Sequence, residues 1–434
     1  MERHTNWYKL DNAAKIIPST VSGANTRVFR ISCELFEEID PVILQRALDE
    51  SIVEYPFFNC ILRRGLFWYY LEDSNLSCEV EEEHLPPCSA LYLPGKKSLL
   101  YRVFYYKRRI SIEMFHVLAD GTGAFMFFRR MVTRYLEIAH DFHVDDDFFA
   151  AEISSLQEKN NDAFRHFYQN QKGLKQLKSL SSNNAYQLHG EVDSNNESHI
   201  VEACVSAKAF KKLAEKYGST VGVLSTAVYI AAIIDTMSTA QKKKPIVVSV
   251  PVNLRQYFQS YTARNFFGVI SIKYDPMDFD NTLQSIIDVV NAAFKKQLEP
   301  SRINETMNSY AALEHNIAIK VVPLFIKDYV VGQFDAAAKK GVTTSISNMG
   351  VIKMPAEVTP FIERFAAFMT ASKEQITICS FRDKMVFGEC SAFTNHPTML
   401  NLCRRLTAEG IGVEISTNDY DVPIIKEKKT RESK

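Results

Sequence analysis

Two residues four apart, His116 and Asp120, followed at once by Gly121, stand in "FHVLADGTGAFMFF" and are the chain's best candidates for chemistry. An imidazole titrates near neutrality, so it can take a proton from a hydroxyl or amine at cellular pH. Asp120 is too close in sequence to act as a long-range relay, but its carboxylate can brace the turn. Gly121 is expected to supply the backbone freedom that returns the chain into the next element. The plainer reading keeps its weight, because most histidines in apolar stretches are satisfied core residues and most Asp-Gly pairs are only turns.

The flanking pattern shows how such residues would be held. In "RRISIEMFHV", Ile110, Ile112, Met114 and His116 alternate, which places the imidazole at the end of a strand. After Gly123, the residues Phe125, Phe128, Val132, Tyr135, Leu136 and Ala139 recur at helical spacing, so an amphipathic helix packs on that sheet. Upstream, Asp40 and Pro41 read as the N-cap and first residue of a helix carrying Ile43, Leu44, Ala47 and Ile52. "FFNCILRRGLFWYYLE" reads as a hairpin turning near Gly65.

Residues 179–198, "SLSSNNAYQLHGEVDSNNES", are polar and aperiodic, and are taken as a linker between an N-terminal lobe, 1–178, and a C-terminal lobe, 199–425. The second lobe restarts with the strand "HIVEACVS". A helix capped by Ser206 and closed by Gly218 follows, then the buried helix "TVGVLSTAVYIAAIIDTM". "QITICSFRDKMVFGECSAF" reads as a hairpin, and 426–434 as a solvated basic tail. Strands and helices mix without a regular βαβ rhythm. The expected class is therefore α/β in α+β-type layers, not a Rossmann or barrel arrangement.

Walker, dinucleotide-binding Gly-x-Gly-x-x-Gly, Gly-x-Ser-x-Gly and His-Glu-x-x-His motifs do not occur. "HDFHVDDD", with His140, His143 and Asp145 to Asp147, is read as a solvated acidic loop and not as a metal site. Lys plus Arg, 51, equals Asp plus Glu, 51, in 434 residues, so no overall field attracts nucleic acid or an anionic membrane surface. Eight scattered cysteines without a Cys-x-x-Cys read as reduced core thiols. With neither a basic-then-apolar leader nor an apolar run of about 18 residues, the expected location is the cytoplasm.

"HVLADGTGAFMFFRRMV" resembles the His-x-x-x-Asp-Gly segment of the chloramphenicol acetyltransferase-like superfamily. That superfamily includes peptide-synthetase condensation domains, plant BAHD acyltransferases, and bacterial and fungal alcohol acetyltransferases. "AFKKLAEKYGSTVGVLSTAVYIAAI" resembles the helix pair of its second lobe, "VSVPVNLRQYF…NFFG" the strand and turn after it, and "SISNMG" its later crossover strand. The resemblance implies two lobes of related fold, each a mixed sheet with helices, and a substrate tunnel between them. By it, His116 is the general base, Asp120 a structural residue paired with Arg255 of "PVNLR", and Ser347 a donor to the oxyanion. Ser345 and Thr344 stand beside Ser347 as alternatives, and Arg255 has the reading of an exposed strand-end charge. Phe115 replaces the first of the condensation domains' two histidines, and the plant Asp-Phe-Gly-Trp-Gly motif is missing. These departures lean toward the alcohol acetyltransferases.

The implied activity is acyl transfer from acetyl-CoA or another short acyl-CoA to a small alcohol. Coenzyme A thioester is then a cosubstrate, with no metal or prosthetic group. A donor carried by an acyl carrier protein, a non-catalytic binding protein of the same fold, and an unrelated two-domain protein are the alternatives.

Overall fold

The computed structural model describes residues 6–418, apart from 24, 146, 150–161, 165–183 and 316–321. The sequence predicts a polar helix over "SSLQEKNNDAFRHFYQNQKG", 154–173; it and the basic tail fall largely or wholly outside the described residues. The first half of the chain forms β1 (Trp7–Lys9), β2 (Val28–Leu35), α1 (Pro41–Ile52), β3 (Cys60–Arg64), β4 (Tyr69–Asp73), β5 (Glu81–Glu82), β6 (Tyr101–Tyr106), β7 (Arg109–Phe115) and α2 (Gly121–His140). The second forms β8 (His199–Ser206), α3 (Ala207–Lys216), α4 (Val221–Thr236), β9 (Ile246–Asn253), β10 (Phe267–Tyr274), α5 (Leu283–Gln297), α6 (Pro300–His315) and α7 (Leu324–Lys340). After them come β11 (Thr344–Val351), β12 (Ile362–Met369), β13 (Glu374–Phe381), β14 (Lys384–Ser391), α8 (Pro397–Ala408) and β15 (Val413–Thr417).

Local chemistry explains the element starts. Asp40 accepts from Val42 N at 2.8 Å and Ile43 N at 3.1 Å, with Pro41 at N1, so α1 begins where its orphan donors are met. Ser206 caps α3 through Ala209 N at 3.1 Å, and Gly218, at φ 61°, ends it in the left-handed region.

Two large sheets organise the molecule, with strand orders β12-β2-β7-β6-β5 and β10-β9-β11-β13-β14-β8-β15, beside a small sheet β1-β4-β3. On the five-stranded sheet, α2 buries Phe127, Phe128, Met131, Val132 and Leu136, in a core shared with Leu44 and Leu48 of α1. Each of these side chains contributes about 1.5–3 kcal/mol of burial. In the second lobe α4 is apolar on every side and buried throughout from Val223 to Ile234, as such a helix must be.

The strand that crosses between lobes differs from the expectation. "SISNMG" lies in β11, which runs parallel to both β9 and β13 inside the seven-stranded sheet. The crossing strand is β12, from the second half of the sequence, which pairs antiparallel with β2 (Phe365↔Cys33, Ala367↔Ile31) and becomes the edge of the first lobe's sheet. Its five buried residues from Arg364 to Phe368 lie under cover on both faces, so they give no alternating signal. A chain of ion pairs runs along the same seam, with Arg109 bridging Glu34 and Glu202, and Arg364 bridging Glu34 and Glu414. The described part of the polar stretch, 184–198, is docked on the second lobe. Tyr186 and Leu188 are buried in its core, and Tyr186 N donates to Pro245 O at 2.7 Å.

Candidate active site

β7 ends at Phe115, so His116 is the first residue of the turn leading to α2. Its backbone N–H donates to Arg27 O at 3.0 Å. Arg27 itself sits at φ 57°, unusual for a residue with a side chain, and its guanidinium is tied to Asp335 of α7 at 3.1 Å. The imidazole lies between the edge of Phe29, 5.3 Å away, and Phe267, 5.5 Å away, and keeps partial exposure.

The ring's hydrogen bonds fix which nitrogen is free. Nδ1 stands 2.9 Å from Asn265 Oδ1. The amide of Asn265 is oriented by its other end, since Nδ2 donates to Asp11 Oδ2 and to His116 O, both at 3.1 Å. A carboxylate and a backbone carbonyl accept only, so the NH₂ group must face them and the amide oxygen must face the imidazole. Nδ1 therefore carries the proton, and Nε2 keeps its lone pair. Burial pushes the imidazole below its ordinary value, with Asp120 and the hydrogen bonds opposing the shift. At neutral pH this side chain is a neutral ring with a basic nitrogen.

Asp120 is occupied on every side. Arg255 meets it in two-point fashion, NH1 to Oδ2 at 2.8 Å and NH2 to Oδ1 at 3.1 Å. Phe266 N donates to Oδ2 at 2.8 Å, and Gly123 N to Oδ1 at 2.9 Å, so the same carboxylate is the N-cap of α2. Asp120 is buried and Arg255 largely so, and Arg255 is held further by the carbonyls of Thr262 (3.0 Å) and Arg264 (2.6 Å). Arg255 is thus no exposed strand-end charge. The pair joins the two lobes directly behind His116.

Gly121 does not have the role expected of it. A Cβ there would meet nothing within 4 Å, and its φ is not positive. The glycine that the site needs is Gly123, where a Cβ would stand 1.8 Å from Ala263 O. The backbone of α2 presses on the 262–266 segment, and only hydrogen fits between them.

Of the three hydroxyls considered as oxyanion donors, Thr344 faces the second lobe's core, bonding Tyr229 OH at 2.8 Å and Glu374 O at 2.8 Å. Ser345 donates to Ser249 O at 3.1 Å. Ile346 packs into the core, so Ser345 and Ser347 point to the other face of the sheet. By the β11–β9–β10 register, Phe267 lies on that face too, and its ring touches His116. Ser347 therefore faces the imidazole's side of the sheet, but β11 is two strands away from β10, and no hydrogen bond joins Ser347 to His116.

His140 pairs with Glu37 at 2.5 Å and stacks on Phe361, while His143 meets Glu137 at 3.1 Å. The histidines of "HDFHVDDD" are thus spread over separate partners. Among the described residues, no three His, Cys, Asp or Glu side chains converge as metal ligands. All eight cysteines are buried and unpaired. No single described helix is long and apolar enough to cross a membrane.

Asn265 and Asp11 have no signal in the local sequence. They lie 149 and 105 positions from His116, and a polar residue just before a strand looks like any loop residue.

No family model matches the chain, and no curated protein sequence matches it. Solved structures do match, over nearly its whole length. Two lobes joined by a crossing strand, with a His-x-x-x-Asp-Gly turn at their seam, make the chloramphenicol acetyltransferase-like, condensation-domain fold, and the chain has that fold. It is similar to trichothecene 15-O-acetyltransferase from Fusarium sporotrichioides, with a TM-score of 0.62 and 11% identity over 93% of this chain and 95% of that one. TRI101 of F. sporotrichioides, in complex with coenzyme A and T-2, gives 0.62 at 9% identity over 94% and 99%. The starter condensation domain of rhizomide synthetase, as a point mutant in complex with C8-CoA, gives 0.59 at 12% over 93% and 94%.

Proposed function

We propose that this protein is an acyltransferase that moves a short acyl group, acetyl or similar, from a coenzyme A thioester to an alcohol. The observation that carries the reading is the Asn265–His116 bond, which leaves Nε2 unprotonated on a partly exposed ring at the seam of the lobes. Both substrates reach the imidazole through a tunnel between the lobes. Nε2 takes the hydroxyl proton as the oxygen attacks the thioester carbonyl, giving a tetrahedral oxyanion to which Ser347 donates. Collapse breaks the C–S bond, and the departing thiolate takes the proton back from Nε2. The acyl group passes directly to the acceptor, so no acyl-enzyme forms. Asp120 touches neither substrate, because its oxygens are taken up by Arg255, Gly123 N and Phe266 N.

A second reading has likeness to the condensation domain behind it. In it the donor is carried by an acyl carrier protein, whose pantetheine arm is the one coenzyme A presents. Thiol release from a panel of acyl-CoAs with mixed alcohols, run beside a carrier-bound donor, separates the two. His116→Ala should lower turnover by about 10²–10⁴-fold with the fold retained. Near wild-type turnover in that variant would remove His116 from the base role.

A further inference from the structure

Helix α7 is built inside out. Three of its five charged residues turn toward the protein, two of them acidic: Asp328 accepts from Ser19 Oγ at 2.6 Å, Arg64 at 3.1 Å and Tyr69 OH at 3.1 Å, and Asp335 pairs with Arg27. Lys327 lies 3.3 Å above the centre of the Trp68 ring and donates to Phe67 O at 3.0 Å. The apolar residues turn outward, with Phe325 64% exposed, Tyr329 69% and Phe334 72%, and Ile326 and Val330 beside them. At 100° per residue these five fall on one half of the helix. The β3–β4 turn, which α7 touches through Leu324 N to Leu66 O at 2.9 Å, adds Leu66, 72% exposed, and Phe67.

Such a face is too large to be incidental. Seven side chains of this size and exposure present roughly 600–800 Å² of apolar surface, while monomers rarely show a contiguous patch of more than a few hundred. Its chemistry then selects the occupant. A protein interface of this area needs about one hydrogen bond per 100–200 Å², yet among the described residues of the face the exposed uncharged polar side chains are Gln333 and Tyr329. On the helix and among its ion-pair partners, Arg27, Arg64, Lys327, Lys339 and Lys340 outnumber Asp328 and Asp335, in a chain whose net charge is zero. Two copies meeting on this face would bring two positive rims together. A lipid surface asks for no directional partner, and anionic headgroups complement the rim.

We propose that α7 and the β3–β4 turn form a docking surface for anionic lipid, with Phe325, Tyr329, Phe334 and Leu66 entering the headgroup–acyl boundary and Lys339 and Lys340 meeting the headgroups. The surface stands independently of the acyl-transfer reading, and its test involves no turnover. The full chain is floated with vesicles of phosphatidylcholine and phosphatidylglycerol in equal parts, or of phosphatidylcholine alone. The wild type should float with the mixed vesicles, and added salt should weaken its binding. The triple variant Phe325→Ser, Tyr329→Ser, Phe334→Ser should bind about a hundredfold less or weaker still. Lys339→Glu with Lys340→Glu should lose about tenfold or more on the mixed vesicles. Phe325, Tyr329, Phe334 and Lys340 are exposed and Lys339 is half-buried in a pair with Asp335, and circular dichroism should show unchanged folds. A wild type that stays in the soluble fraction with both vesicles, or a triple variant that floats like wild type, overturns the proposal. So does a lipid-free dimer, seen by light scattering and lost in the triple variant, which would give the face to a second copy.

Discussion

Breaking the Asp120–Arg255 pair should cost more on one side than on the other, and the geometry says which. In Asp120→Ala the guanidinium stays largely buried with only uncharged acceptors for company, the carbonyls of Thr262, Arg264 and Phe266 and the Asn253 amide oxygen. Stranding one member of a buried pair costs about 3–5 kcal/mol. The same substitution removes the N-cap of α2, worth about 1 kcal/mol. It also leaves Phe266 N without its 2.8 Å acceptor. With overlap between these effects, the loss should be about 4–6 kcal/mol, a large part of the 5–15 kcal/mol that typically holds a protein folded. In Arg255→Ala the carboxylate keeps two backbone donors, Gly123 N and Phe266 N, so the loss should be nearer 3 kcal/mol. The double variant should lose about 2–3 kcal/mol less than the sum of the singles, because the second removal strands nothing. Denaturant unfolding of the four proteins, followed by circular dichroism, measures the cycle, and acyl transfer should fall with stability in each single variant. Additivity to within about 0.5 kcal/mol would show that the two groups do not act as a pair.

Three further outcomes follow from the same geometry. Asn265→Ala should lower kcat with little change in KM. Removing a hydrogen bond that raises the imidazole's pKa should also move the acid limb of kcat/KM, already below the ordinary histidine value of 6.5, to still lower pH; an unmoved limb would leave Asn265 no role in setting the base. Ser347→Ala should reduce kcat by about 10²–10³ with binding little changed, since the negative charge it meets exists only at the tetrahedral stage; damage from Ser345→Ala with a silent Ser347→Ala would move the donor two residues along the strand. In the second lobe, burial and then the charge of Glu389 push Glu374 up to about 8. The folded state therefore holds a proton that the unfolded state releases between about 4.5 and 8, so stability should fall as pH rises through that window, and Glu374→Gln should flatten the fall in pH-dependent thermal melts.

What could be read from the sequence was local. The Asp40 cap, the Ser206 cap with its Gly218 stop, the β3–β4 hairpin and the β13–β14 hairpin are each set by residues within a few positions of one another, and each is present. The His116-to-α2 turn was legible for the same reason. Arg255 was reached through resemblance and not through pattern, because its partner lies 135 residues away. What stayed hidden depends on contacts between distant segments. The choice of Gly123 over Gly121 as the indispensable glycine is made by Ala263. The assignment of β12 to the first lobe is made by its pairing with β2, some 330 residues earlier. A buried apolar strand does not say which sheet it will join.

These long-range contacts also explain why the candidate base stands where it does. His116 comes from the first lobe, but its free nitrogen is chosen by Asn265, which precedes β10 of the second. Asn265 is in turn oriented by Asp11, near the N-terminus, and Arg264 next to it donates to Lys9 O at 2.6 Å. Three separate segments must meet before the imidazole has a defined proton. If the lobes part, the ring loses its acceptor and Asp120 loses Arg255 in the same step. The seam therefore cannot be a loose hinge beside a finished site. It is held by the β12–β2 ladder, by Arg364 of that ladder reaching Glu414 of β15, and by the Arg109–Glu202 pair between β7 and β8, and the geometry of the candidate base is a property of that closed seam.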